Sequence, residues 1–154
     1  MSGMKTLIFT LLSVLSAVCL QDSCDGAEAD DIVGVYYVSH EREESRVRIY
    51  KASDGTYGAQ VLWIRDSLDR NGNLRLDEKN PDRSLRNIPC NRIEIIKGLR
   101  YDARKERWSG GKIYDPTRGI RANVTCDIVD EGKTLKVRGS LLGIAQTVYW
   151  DRIE

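Results

Sequence analysis

Histidine, phenylalanine and proline are scarce in this 154-residue chain, with one, one and three copies respectively. The single histidine, His40, lies among Glu41, Glu43 and Glu44 and reads as part of a solvated turn rather than a catalytic base. No GxSxG, HExxH or phosphate-binding glycine loop occurs, which removes the common hydrolase, zincin and nucleotide-binding signatures. No CxxC unit occurs among the four cysteines, so zinc-ribbon and thioredoxin-like readings fall away. Charge of one sign is also missing. The net charge is +1 and basic residues are interspersed with acidic ones, so nothing points to nucleic acid as a partner.

A long apolar run is lacking as well. Thr6–Val18 is uncharged, but it falls short of the ~20 residues a membrane span needs. It follows the short basic start at Lys5, and its small residues Ser16 and Ala17 precede a polar stretch from Gln21. That is a secretory signal pattern, with cleavage after Cys19 or Ala17, so residues 1–19 are read as a signal peptide. Lipidation at Cys19 or Cys24 fits poorly, because Val18 is large for the position before a lipidated cysteine. The expected location is exported: periplasmic, envelope-associated or secreted. Export makes Cys90 and Cys126 a candidate disulfide; two free thiols packed as small apolar residues are the alternative.

What is present is β-pattern. Residues 20–31 are small, acidic and aperiodic, and read as a flexible mature N-terminus. Residues 32–154 then form one domain of strand-like segments. In Arg46–Lys51, Val47 and Ile49 alternate with Arg46, Arg48 and Tyr50. Ser53-Asp54-Gly55 is a hairpin signal, and Tyr57, Ala59, Val61 and Trp63 share one parity. Ile93 and Ile95 mark another strand. From Ile120 to Val129, Ala122, Val124, Cys126 and Ile128 face opposite to Arg121, Asn123, Thr125 and Asp127. Leu135, Val137 and Leu141 mark a seventh strand, and residues 145–153 an eighth. About eight short antiparallel strands at even spacing predict an all-β, up-and-down barrel.

Two stretches interrupt this rhythm. Residues 66–89 form a long polar insertion with a turn of helix expected near Arg83–Arg86, and loops of this length are often functional. Within it, Asp69–Asp77 partly matches a calcium loop, but Gly72 and Asn80 stand at the wrong positions, so it reads as an Asn/Gly-rich turn. The second stretch is Trp108-Ser-Gly-Gly-Lys-Ile-Tyr-Asp-Pro-Thr-Arg-Gly119, a strand end, a turn set by Pro116 and Gly119, and a new strand. Gly110-Gly111 permits a bulge. Trp108, Lys112 and Tyr114 share parity, so an aromatic–cation–aromatic row either lines a ligand site or covers the outside of the barrel. Asn123-Val-Thr125 matches a glycosylation sequon.

From Asp30 to Ile153 the chain resembles the DUF2147 family of secreted bacterial domains. The resemblance is carried by Ile32-Val-Gly-Val-Tyr36, Asn80-Pro-Asp82 with Leu85-Arg86-Asn87, the Trp108-to-Pro116 string, Leu135-Lys-Val-Arg-Gly139 and Trp150-Asp-Arg152. It departs from the usual pattern at Tyr36, Arg92, Arg121-Ala122 and the enlarged 69–77 insertion. The resemblance implies a lipocalin-like (calycin) barrel, export, and no established activity.

Three functions are consistent with these features. The first is a non-enzymatic binder of a small, partly apolar ligand in or at the mouth of the barrel, with no cofactor. Its candidate binding residues are Trp108, Tyr114, Asp115, Asn80, Asp82 and Arg138, where aromatics give apolar contact and charged groups orient polar ones. The second is an interaction module whose barrel is filled by Trp63, Val61, Ile93 and Leu135. The third, ranked last, is a hydrolase using carboxylates from Asp77, Asp82 and Asp115, which would have to converge on a pocket.

Overall fold

A computed structural model describes residues 27–154; the segment 1–19 read as a signal peptide, Cys19 and Cys24 lie outside the described residues. Eight antiparallel strands close into a barrel in chain order: β1 Gly34–His40, β2 Glu43–Lys51, β3 Tyr57–Ile64, β4 Glu94–Asp102, β5 Arg107–Asp115, β6 Ile120–Val129, β7 Thr134–Leu141 and β8 Ile144–Arg152. The alternation in the sequence is what closes it. Val47 and Ile49 of β2, Val124 and Cys126 of β6, and Leu135 and Val137 of β7 all turn inward and are buried. Closing the sheet leaves no long open edge, which suits an all-antiparallel chain of short strands.

Bulges correct the simple parity count. Gly110 adopts φ +78° and the β5–β6 register shifts between Trp108 and Gly111. Trp108 therefore points inward, fully buried, while Lys112 and Tyr114 fall on the outer face. The expected aromatic–cation–aromatic row does not form. Gly111 must stay small, since a Cβ there would sit 2.7 Å from the Lys97 carbonyl oxygen. In β4, Gly98 at φ +74° marks a bulge between Ile96 and Leu99, and the β3–β4 register shifts a second time between Glu94 and Ile96. Ile93, Ile96 and Leu99 are buried, whereas Ile95 is only partly so. A register shift between Arg46 and Val47 turns Trp63 out of the barrel, 40% exposed, with the Arg46 guanidinium 5.6 Å from its ring. Trp63 thus fills no interior space, unlike Val61, Ile93 and Leu135.

One end of the barrel is sealed. The part of the acidic N-terminal stretch that is described is ordered: Ala29–Ile32 forms a 3₁₀ turn that plugs the end carrying the β2–β3, β4–β5 and β6–β7 turns. Aromatic side chains hold the plug by their polar tips. Trp108 Nε1 donates to the Ala29 carbonyl at 2.9 Å, Tyr36 Oη to that of Ile32 at 2.8 Å, and Tyr101 Oη to that of Ala27. Arg152 fans out to the carbonyls of Gly132 and Val33, each at 3.0 Å, to that of Asp31, and to Tyr36 Oη at 2.7 Å. Paying for buried polar groups with hydrogen bonds in this way lets the plug lie against the core.

The candidate disulfide does not form. Cys126 is buried within the sealed half, paired across the ladder with Trp108, while Cys90 sits in a 3₁₀ turn, Cys90–Arg92, where the long loop enters β4. Both thiols are free, and burial pushes the Cys126 thiol well above its usual range.

Candidate functional site

The other end carries the β1–β2, β5–β6 and β7–β8 turns and the long β3–β4 loop. Along the inward-facing row of β8, burial falls steadily towards this mouth. Trp150 is buried, Val148 half-buried, Gln146 exposed, and Ile144 79% exposed. The facing row of β7 repeats the gradient from buried Leu135 and Val137, through Gly139, to Leu141 at 39% exposure. The barrel is therefore packed in its lower half, while above the Val137–Val148 pair its inward-facing residues are exposed; this open end is called the cup. Gly139 contributes no side chain at this level. A Cβ on Gly139 would meet Ile113 Cγ2 at 3.5 Å and Ala122 Cβ at 4.0 Å, ordinary contact distances, so the site could carry a side chain and does not.

The wall of the cup is notched. β1 and β8 pair at three positions, Tyr36 to Val38, whereas β7 and β8 pair at eight. Beyond Val38 the link across the seam is a side-chain contact, Gln146 Nε2 to His40 Nε2 at 2.8 Å. His40 ends β1 with the inward parity of Tyr36 and Val38, so it borders the cup rather than a free turn. Leu141 and Ile144 offer apolar surface, while His40 and Gln146 offer hydrogen bonds at the rim. A concave apolar surface with a few fixed polar groups is what a small-molecule site requires.

The six candidate binding residues separate into three places. Asn80 and Tyr114 come together outside the barrel wall, where the long loop folds back. Asp77 is 2% exposed there, accepting from Tyr114 Oη at 2.6 Å and from Asn80 Nδ2 at 2.7 Å. Arg121 lies over the Tyr114 ring at 5.3 Å, and Arg86 Nε donates to the Asn80 carbonyl at 2.7 Å. Burial, followed by the bond to Asp77, raises the Tyr114 phenol well above its usual range. Asp82 and Asp115 flank this clasp but are occupied in turns. Asp82 accepts from Ser84 N at 2.9 Å and Ser84 Oγ at 2.7 Å, which holds its carboxyl below the usual range. Asp115 accepts from Thr117 N at 2.8 Å and Thr117 Oγ1 at 2.6 Å. Trp108 belongs to the sealed end, and Arg138 is exposed on the outer face of β7, opposite Thr125.

None of the six lines the cup. The residues that do, Leu141, Ile144, Gln146 and His40, share parity with Val137, Trp150 and Tyr36, and counting by twos back from Trp150 in β8, on from Val137 in β7 and on from Tyr36 in β1 would have found them. The calcium-like loop is likewise a turn: Asp69 Oδ1 accepts from the amides of Asn71 at 2.8 Å and Asn73 at 2.9 Å.

Comparison with known proteins supports this architecture. No curated protein matches the chain. Among solved structures, protein HP1028 from the human pathogen Helicobacter pylori, described as belonging to the lipocalin family, is similar with a TM-score of 0.64 and 22% identity, covering 79% of this chain and 82% of its own. At that identity the likeness concerns the fold: an eight-stranded lipocalin-like barrel. The profile of DUF2147, uncharacterized proteins conserved in bacteria, matches residues 34–152, nearly the whole barrel, and the chain belongs to that family.

Proposed function

We propose that this is an exported binding protein that holds a small, partly apolar ligand in the cup at the open end of its barrel. The observation that carries the reading is the exposure of inward-facing Leu141, Ile144 and Gln146 directly above a packed floor. An eight-stranded barrel has room either for its own side chains or for one small ligand. Here the lower half takes the first course and the upper half is left for the second. A ligand covering Ile144 and Leu141 would gain roughly 25 cal/mol per Å² of apolar surface removed from water. His40 and Gln146 would orient its polar end. The carboxylates Asp77, Asp82 and Asp115 each serve a hydrogen-bonded turn or clasp, which favours binding over a carboxylate-driven hydrolysis.

One feature favours a second reading, a protein-docking module: the rim presents Leu142, 94% exposed, beside Ile144. Native mass spectrometry of protein purified from its own envelope separates the two. A mass excess that vanishes on denaturation, and that is absent from Gly139→Leu, is the expected result, because that leucine would project into the cup. A bare apo mass from the native source would overturn the ligand reading.

A further inference from the structure

A cleft of about 490 Å³ opens where the long loop crosses the outside of β3–β6. It is separate from the cup. Gln60, Lys97, Lys112 and Arg121 point away from the barrel interior, since their chain neighbours Ala59, Ile96, Ile113 and Ala122, paired with one another across the ladder, point into it. The lining combines two kinds of surface. Leu85 and Ile88 of the loop and Ile95 of the wall supply an apolar floor. Around it stand four cations, Arg92, Lys97, Lys112 and Arg121, against two carboxylates, Asp77 and Glu94.

The carboxylates are committed elsewhere. Asp77 is buried under Tyr114 and Asn80, and Glu94 is held by Lys97 at 2.6 Å and by Tyr50. Three of the cations are not matched in the same way. Among the described residues, Arg92, Lys112 and Arg121 form no ion pair; Lys112 donates to the neutral amide of Asn123, and Arg121 rests on the Tyr114 ring with Nη2 3.5 Å from Asn80 Oδ1. A surface that gathers positive charge over an apolar floor without anionic partners is complementary to an amphipathic anion.

We propose that this cleft is a second binding site, for a carboxylate carried on a short apolar chain or ring. The apolar part would lie on Ile95, Ile88 and Leu85, and the carboxylate would meet Lys112 and the planar fork of Arg121, which suits two-point recognition of a carboxylate. The cleft volume falls in the ~300–1,000 Å³ range of small-molecule sites. The Asp77–Tyr114–Asn80 clasp pins the loop to the wall, so the site is formed before the ligand arrives and little ordering is needed on binding. The cup and the cleft share no residue, so either can bind without the other.

The test is an amide-resolved NMR titration of the folded chain with octanoate, with octan-1-ol as the uncharged control. Octanoate is expected to shift amides at residues 92–97 and 112–114 and to bind at least tenfold more tightly than the alcohol. Lys112→Gln should weaken octanoate at least fivefold and leave octan-1-ol unchanged. Ile95→Lys, which keeps the cations and removes the floor, should also lose it. Gly139→Leu, which fills the cup, should bind octanoate normally. Equal affinity for acid and alcohol, indifference to Lys112→Gln, no binding, or shifts confined to residues 139–148 would each overturn the proposal.

Discussion

The two ends of this barrel are built from the same alternating strands and treat water in opposite ways. At the sealed end, Trp108 and Tyr36 bury their rings, Tyr101 partly buries its own, and all three donate from their polar tips to carbonyls of the N-terminal segment. At the open end, residues of the same inward parity, Gln146 and Ile144, face solvent with nothing packed over them. Stability and recognition are thus divided along the barrel axis. The first prediction makes the division measurable. Trp108→Ala removes a fully buried indole and should cost about 3–5 kcal/mol in chemical denaturation. Ile144→Ser, changing a side chain of the same inward parity, should stay within about 0.5 kcal/mol. Comparable losses at both sites would mean that the open end is packed in solution, and the contrast would fail.

Alkaline pH should sharpen the contrast, with a somewhat smaller effect. Burial is the main cause that pushes the Tyr36 phenol up to about 12, with the nearby Arg152 guanidinium opposing it. The unfolded chain releases this proton near pH 10 and the folded chain holds it until about pH 12. The contribution is therefore complete below pH 10 and is lost as pH climbs from 10 to 12, amounting to about 2 kcal/mol. Tyr57, which also bonds the plug through Asp30, is raised to about 12 for the same leading reason. Denaturant midpoints should fall between pH 10 and 12 in the wild type and fall less steeply in Tyr36→Phe. A plug that titrates at the ordinary phenol pH would show no such window.

The barrel itself was legible because period-2 alternation in β2, β6 and β7 is read directly from residues such as Val47, Ile49, Val124 and Leu135. What alternation cannot carry is a bulge. One bulge reverses the facing of everything beyond it, so the register shift between Glu94 and Ile96 moved Ile95, and Gly110 moved Lys112 and Tyr114, to faces that parity alone did not give them. The plug was illegible for a different reason: Glu28–Asp31 has no pattern of its own, and its 3₁₀ turn is held by Trp108 and Arg152 from far along the chain. Of the candidate site, the turn chemistry around Asn80, Asp82 and Asp115 pointed to the loop, and Asn80 and Tyr114 do meet there. Trp108 and Arg138 do not join them, because burial and outward facing are tertiary outcomes.

The smallest predicted effect concerns the tip of the open end. The β7–β8 turn places Leu142 at φ +50° and Gly143 at φ +82°, the positive pair that a two-residue hairpin of this hand demands. Asparagine-glycine is the favoured sequence for such a turn, whereas a leucine in the left-handed region strains its Cβ and here leaves the side chain almost wholly in water. Leu142→Asn should therefore raise stability by about 0.5–1 kcal/mol, read from the denaturant midpoint. Its value lies in the paired measurement of ligand retention. If the stabilised variant recovers less ligand from its native source, the leucine is kept at the rim for contact, and strain at the open end is the counterpart of packing at the sealed one. If retention is unchanged, Leu142 contributes nothing to the cup and the contact surface narrows to Leu141, Ile144, Gln146 and His40.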